Sequence, residues 1–453
     1  MSKANLEAAR EKMVEAGVAE AAIEVFAHYY QELESGATGL ILEETIEPYL
    51  DPPLLADLTV DEEQAKEALA KTAIIKLNGG LGTSMGLDEA KTLLEVRDGL
   101  NFLDIIARQI LSARETYDVP LPLIFMNSFR TDADTLAYLA KYPSLPVEGL
   151  PLSFVQNQEP KLLASDLSAV TWPADPTLEW CPPGHGDLYT ALDASGVLDD
   201  LIAAGFRYAQ VSNGDNLGAR PDATIAGWFT STGAPYAAEL CVRTANDRKG
   251  GHLAIRRADG QLVLRDTAQT ADEEMDFFTD EHRHPYFHTN NLWFDLLALR
   301  AALDERNSVL GLPLIKNEKT VDPTDPSSPK VIQVESAMGA AIEVFEGATA
   351  ICVGRDRFLP VKTTNELLLL RSDVYDLNKE WALVATVPSA PEVVLAPDYY
   401  KTVSKFDERI PVAPSLRDAT RLKVEGDWVF APQVTVEGDV VLGPEGGFVE
   451  GTI

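Results

Sequence analysis

Cysteine is scarce in this 453-residue chain: Cys181, Cys241 and Cys352 stand far apart and in no CxxC pattern. That excludes a disulfide framework and a structural zinc site, and leaves three buried thiols as the expectation. Long apolar runs are missing as well. No stretch approaches the ~18 consecutive apolar residues of a membrane helix, and the opening MSKANLEAAREK lacks the apolar core of a secretory signal. The expectation is a cytoplasmic protein with no membrane partner. Positive charge is scarce too, with 38 Lys and Arg against 71 Asp and Glu and a net charge of −33. A phosphate backbone would meet a repulsive field, so non-specific nucleic-acid binding is disfavoured. A GxSxG elbow, an HExxH helix, a kinase signature set and a Walker Gly-Lys-Ser/Thr are all absent, which leaves hydrolase and kinase chemistry without support.

What is present is ordinary globular material, 45% hydrophobic and 24% charged, in a chain long enough for two or three domains. Residues 4 to about 50 read as helices, with Ile23, Phe26 and Tyr30 on one face that packs against the main domain. Thr72 to Leu77 (TAIIKL) reads as a buried strand. From there to about residue 380, strand-like runs (LPLIFM at 121–126, RYAQVSN at 207–213) alternate with helical ones (from Thr131, and within GARPDATIAGWF), which predicts an α/β sheet covered on both faces. Binding loops then belong at the C-terminal ends of the strands. The Pro-rich stretch Val387 to Pro397 reads as a linker. Beyond it a six-residue period runs through Leu422, Trp428, Val434 and Val440, in step with Val424, Phe430, Val436 and Leu442. Two such series predict a short left-handed parallel β-helix, with paired β-hairpins as the alternative. The division is thus a helical segment over 1–65, a catalytic α/β domain over 66–385, and a linker with a small β-domain over 386–453.

Three clusters carry candidate chemistry. Leu77 to Gly86, LNGGLGTSMG, follows a strand, and its four glycines let backbone N–H groups converge on phosphate oxygens, with Lys91 and Arg97 downstream. Pro182 to Tyr189, PPGHGDLY, holds His185 on a tight turn between Gly184 and Gly186. That histidine reads either as a structural turn residue or as a ligand group. Asn213 to Asn216, NGDN, sets a carboxylate at a strand end, which suits a hard cation such as Mg²⁺ and equally suits a plain Asx turn. In so acidic a chain a polyanionic ligand needs local lysines, and Lys249, Lys319 and Lys362 are further suppliers, with Asn290, Asn291 and Glu335 in neighbouring motifs.

These clusters, with FVQNQEPKL, KGGHL, HTNNLW, VIQVESAMGAAIEVFE and DRFLPVKTTNELLLL in that order over roughly residues 70 to 375, resemble the UTP:glucose-1-phosphate uridylyltransferase (UDP-glucose pyrophosphorylase) family of eukaryotic type. The resemblance implies a Rossmann-like nucleotidyltransferase domain with a mixed, mostly parallel sheet, and it matches the hexad tail to that family's C-terminal β-helix. It implies that Leu77, Asn78, Gly79 and Gly80 line the uridine and phosphate end of UTP, that Gln156 bonds the uracil edge with Gly184 nearby, and that Asp215 is the Mg²⁺ ligand. His185, Asn213, Gly214, Asn290 and Asn291 would face the sugar phosphate, with the inward member of the asparagine pair left open. Lys91 and Lys362 would be the catalytic, phosphate-neutralising lysines. The implied reaction joins UTP and glucose 1-phosphate by in-line attack on the α-phosphorus, releasing pyrophosphate, with Mg²⁺ and lysines cancelling the repulsion between two anions and no general base required.

Two departures stand out. Leu87, Asp88, Glu89 and Ala90 replace the family's usual Cys-x-Gly-Pro and put two carboxylates beside the loop. The tail is shorter than in many relatives, so self-association through the C-terminal domain stays open. The competing readings are a uridylyltransferase for galactose or N-acetylglucosamine 1-phosphate, a UDP-sugar-binding protein without catalysis, and a glycosyltransferase. The presence of both Asp215 and Lys362 argues against the second, and the lack of an Asp-x-Asp motif against the third.

Overall fold

Thr72–Asn78 (β1) is buried along its length, sending Ile74 into one apolar core and Ile75 into another. A strand wet on neither face belongs in the middle of a sheet covered on both. The computed structural model, which describes every residue except Met1, Ala245, Asn246 and Lys249, places it there. The further strands are β2 (Leu123–Asn127), β3 (Ser153–Val155), β4 (Tyr208–Asn213), β5 (Tyr236–Val242), β6 (Tyr286–Asp295) and β7 (Thr349–Cys352). They form one seven-stranded sheet in the order β7-β5-β6-β4-β1-β2-β3. β1 runs parallel to β2 and β4, β2 to β3, and β5 to β7, while β6 is antiparallel to both its neighbours. The mixed, mostly parallel sheet expected from the sequence is therefore present.

One face packs on the helices Phe102–Tyr117 and Ala223–Thr232, the other on Leu188–Ala194, Val197–Ala203 and Leu296–Glu305. Parallel pairing puts the ends of β1, β2 and β4 at one edge, where their loops meet.

At the N-terminus α1 (Ser2–Glu15) and α2 (Glu20–Glu34) pack as expected, with Ile23, Phe26 and Tyr30 buried against Leu162, Leu314, Ile332 and Val334. The helical reading of residues 35 to 50 is corrected. Gly36 and Gly39 take positive φ, and a Cβ on Gly39 would stand 2.1 Å from Leu314 O, so the chain turns there. It continues to Ile46–Pro48, a short strand paired with His252–Arg256.

The proline-rich linker is corrected too. Within it Glu392–Leu395 (β8) pairs in parallel with Ser415–Val424 (β9), which in turn pairs in parallel with Thr435–Leu442 (β11). Trp428–Phe430 (β10) pairs in parallel with Gly447–Val449 (β12). Leu422 lies opposite Val440 and Val424 opposite Leu442, three six-residue steps along the chain. Hairpins would pair antiparallel, so that alternative falls. Leu422, Val424, Phe430, Val434 and Val436 are buried, and this small core is continuous with that of the main sheet.

Candidate active site

Asn78, at the end of β1, spends its side chain indoors. Its amide nitrogen donates to Asn127 Oδ1 (2.8 Å) and Thr135 Oγ1 (2.9 Å), and its oxygen accepts from Thr92 Oγ1 (2.6 Å). It shapes the glycine loop rather than reaching out of it. A Cβ on Gly79 would meet Gln156 Oε1 at 2.8 Å, so only glycine lets that amide lie against the loop. Gly214 N donates to Leu77 O at 2.8 Å, which ties the NGDN turn to the start of the same loop.

These segments enclose a cleft of about 400 Å³ lined by Leu77, Asn78, Gly79, Gly80, Lys91, Gln156, Gly184, His185, Asn213 and Asp215. Leu81, Thr92, Met126 and Pro182 line it as well without having been anticipated as site residues. Lys91 Nζ stands 2.6 Å from Asp215 Oδ2, across the cleft from its own loop. Asp88 and Glu89 are exposed and do not line the cleft, so their charges point to solvent. Arg97 is not in the site, because its guanidinium donates to Leu370 O and Ser372 O at the end of the helix Thr364–Arg371.

His185 Nδ1 accepts from Met338 N at 3.0 Å, so in the neutral ring the proton sits on Nε2. The ring is exposed at the cleft, and the protein packed around the turn lowers its pKa, against the pull of Asp266 and Glu335. A neutral histidine in this tautomer is a hydrogen-bond donor. Gly184 has φ +77°, and a Cβ there would meet Ser336 O at 2.7 Å, which presses this turn onto the VESAMG segment.

The two asparagines of β6 part company. Between Ala238 and Leu240 of β5 the register with β6 shifts, and Asn290 takes φ +60° in this bulge, partly exposed, with Oδ1 3.2 Å from His288 Nδ1. Asn291 is fully buried. Its Nδ2 donates to Glu239 Oε2 (3.0 Å) and Arg357 O (3.2 Å), and its Oδ1 accepts from Asn216 Nδ2 (3.1 Å). Its side chain is therefore committed within the protein, and Asn290 is the one with an open side. Neither lines the cleft.

Lys362 also lies outside the cleft lining, exposed and without a hydrogen bond or ion pair to any described residue. Its segment is nevertheless anchored. Leu359 N donates to Asn216 Oδ1 at 2.8 Å, Pro360 bridges to Asn216, and Thr363 caps the following helix. Lys319 is paired with Gln333 and Glu335, and Lys249 lies outside the described residues.

Beneath the site runs a charged layer that no sequence motif marks. Arg357 grips Glu239 with two hydrogen bonds of 2.7 and 2.8 Å, both side chains being fully buried, and Trp293 Nε1 adds a third at 2.9 Å. Burial opposes the Glu239 charge, but the guanidinium outweighs it and holds the carboxylate below its ordinary pKa. Lys76 of β1 joins this layer, donating to Ser212 Oγ and Ala219 O at 2.7 Å each. A lone charge inside an apolar strand, as in TAIIKLN and YAAELCV, was the available signal. Gly86, at the far end of the glycine loop, is backed by Thr402, whose side chain would meet a Cβ there at 2.8 Å.

A glycine loop, a carboxylate and a lysine gathered at the ends of parallel strands define the class, an α/β nucleotide-handling transferase. Comparison with known proteins narrows it. The sequence model of the family described as UTP–glucose-1-phosphate uridylyltransferase matches residues 23–437. The protein of that name from Saccharomyces cerevisiae is 39% identical over 92% of this chain and 83% of its own length, and that from Solanum tuberosum 38% over 89% and 83%. A crystal structure of a variant UDP-glucose pyrophosphorylase from Leishmania major, in complex with UDP-glucose, superposes with a TM-score of 0.92 at 40% identity, covering 99% of this chain and 97% of that one. A structure from Trypanosoma brucei reaches 0.90 at 39%, with the same coverage. The chain belongs to the UTP–glucose-1-phosphate uridylyltransferase family.

Proposed function

We infer that this protein makes UDP-glucose and pyrophosphate from UTP and glucose 1-phosphate. The observation that carries this reading is the convergence of the glycine loop, Gln156, the PPGHGD turn and the NGDN turn on one cleft, in a chain 40% identical to a protein seen with UDP-glucose. The glycine loop cradles the UTP phosphates, and Gln156 matches the uracil edge with one donor and one acceptor. His185 donates through Nε2 toward the sugar phosphate, with Asn213, Gly214 and Asn290 beside it. Lys91 leaves Asp215 for the phosphates, and Lys362 swings in from its exposed position to meet the charge that develops as the α-phosphorus is attacked. Because the attacking phosphate is already anionic, no side chain has to remove a proton.

Mg²⁺ belongs to the same reading. Among the described residues no three His, Cys, Asp or Glu side chains gather to hold a metal unaided, while Asp215 offers a hard oxygen at the cleft. That donor set fits Mg²⁺, which takes one or two carboxylates and leaves its other positions to phosphate oxygens and water. Asp215 would hold the ion, which when bound neutralises phosphate charge.

The finer architecture follows the same lines. A Rossmann-like catalytic domain over 66–385 is preceded by the helical segment 1–65 and followed by 386–453, whose three-hexad parallel steps support a left-handed β-helix. Exposed Val429, Val441 and Phe448 on that domain support self-association through it. A cytoplasmic location accords with three free, buried cysteines. A pyrophosphate-release assay with UTP, Mg²⁺ and a panel of sugar 1-phosphates tests the reading, and absence of turnover with glucose 1-phosphate overturns it.

A further inference from the structure

Placing a lysine in a sheet interior is costly, because its ammonium loses water and gains only what the surroundings donate. Lys76 is 1% exposed, and burial pushes its pKa down to about 7, with Arg357 adding to the effect. A methionine would fill the same space in a β-strand without that cost. What the lysine does at this position is specific. In the parallel register it lies opposite Ser212, the residue before the NGDN turn, and donates to that hydroxyl at 2.7 Å. The same nitrogen reaches 2.7 Å to Ala219 O, just beyond the turn. One side chain thus clasps both feet of the segment that presents Asn213, Gly214 and Asp215.

We propose that Lys76 is a positioning residue that fastens the 213–219 turn and thereby sets the Asp215 carboxylate at the cleft. Other ties fix the top of the turn: Gly214 N to Leu77 O, and Asn216 to Asn291 and to Leu359. Lys76 joins its two ends from beneath, and Gln210 Nε2, donating to Arg220 O at 3.1 Å, adds a weaker tie one residue further out. This inference rests on the assignment of Asp215 to the reaction.

Lys76→Met keeps the bulk and removes the donors, and Ser212→Ala removes one acceptor with little change of shape. Three measurements decide: amide hydrogen exchange across 213–219, steady-state kcat and KM, and the same kinetics in an Asp215→Asn background. The expected result for Lys76→Met is exchange at Gly214 and Gly218 faster by tenfold or more, with Ile74 and Ile75 unchanged. It also includes kcat lower by about tenfold, KM for UTP within twofold, and little further loss when Asp215 is already Asn, because both changes act at one place. Ser212→Ala should move the same quantities in the same direction by less, and it decides the matter if Lys76→Met does not fold. Unchanged exchange and kcat in the folded variants overturn the proposal while leaving Asp215 in its role. If Asp215→Asn itself has parental kcat, the assignment of Asp215 fails and the Lys76 proposal falls with it.

Discussion

Lys91 and Asp215 meet head to head, Nζ to Oδ2 at 2.6 Å, although 124 residues separate them in the chain. The residue read as the phosphate-binding cation and the residue read as the metal ligand therefore neutralise one another, and the proposed reaction requires each to change partner when substrates enter. Each side chain is only about one-fifth exposed, but the pair lines the open cleft, where solvent screens it, so it contributes on the order of 1 kcal/mol to folding. Asp215→Asn should melt close to the parent while losing about 10²-fold in kcat and needing more Mg²⁺, as read from activity against Mg²⁺ concentration beside thermal melting. Parental kinetics at low Mg²⁺ would return NGDN to the status of an Asx turn.

Lys362 holds no partner among the described residues, so its removal should leave stability within about 0.5 kcal/mol of the parent. Its loss should instead appear in kcat, lowered by about 10²- to 10³-fold, the usual cost of removing one group that stabilises developing charge. Lys319→Ala is the comparison, and it should be nearly silent. If Lys362→Ala keeps more than about a tenth of kcat, it stabilises the transition state by less than roughly 1.4 kcal/mol and is no electrostatic catalyst.

The contact between Gly79 and Gln156 makes a paired prediction. Gln156→Ala should raise KM for UTP and narrow its advantage over other pyrimidine nucleotides. Gly79→Ala should also raise KM, because the new methyl displaces the amide. In the double variant the second change should add little, since the clash it relieves is with a side chain already gone. Strictly additive losses in KM would show that the two do not act together.

Glu343 bears on pH. Its carboxyl is buried and pushed up to about 7 from 4.5, chiefly by burial, with only partial relief from Arg256 at 3.2 Å. A raised folded-state value means that the fold favours the protonated acid. The stability this contributes is complete below about pH 4.5 and is lost as pH rises through about 7. Glu343→Gln should therefore match the parent near pH 4 and exceed it at pH 8 by roughly 1–3 kcal/mol. Urea unfolding at the two pH values checks this, and a difference that does not change with pH counts against it.

Much of this site was legible because its chemistry sits at strand ends in consecutive residues. LNGGLGTSMG and NGDN announce their loops through residue type, and parallel strands bring such loops to one edge. Commitments between side chains were not legible. Nothing in HTNNLW distinguishes Asn290 from Asn291 until a bulge turns one into the Glu239 network and leaves the other half open. Arg97, a cation in the right stretch of sequence, is spent on two carbonyls at a helix end. The prolines around Val387 to Pro397 signalled a linker, yet Glu392–Leu395 is a strand, because edge strands tolerate proline at their margins and the pairing partner lies far along the chain. The hexad period was readable for the opposite reason, since its apolar residues recur at one spacing within a short stretch of chain.

Thr402 stands directly behind Gly86, so the glycine loop has a wall at its back. A loop braced in this way cannot move back at Gly86 without pushing Thr402 aside. The segment that follows β8 thus stands to the loop as a doorstop does to a hinge, in contact with its far end from outside the cleft lining.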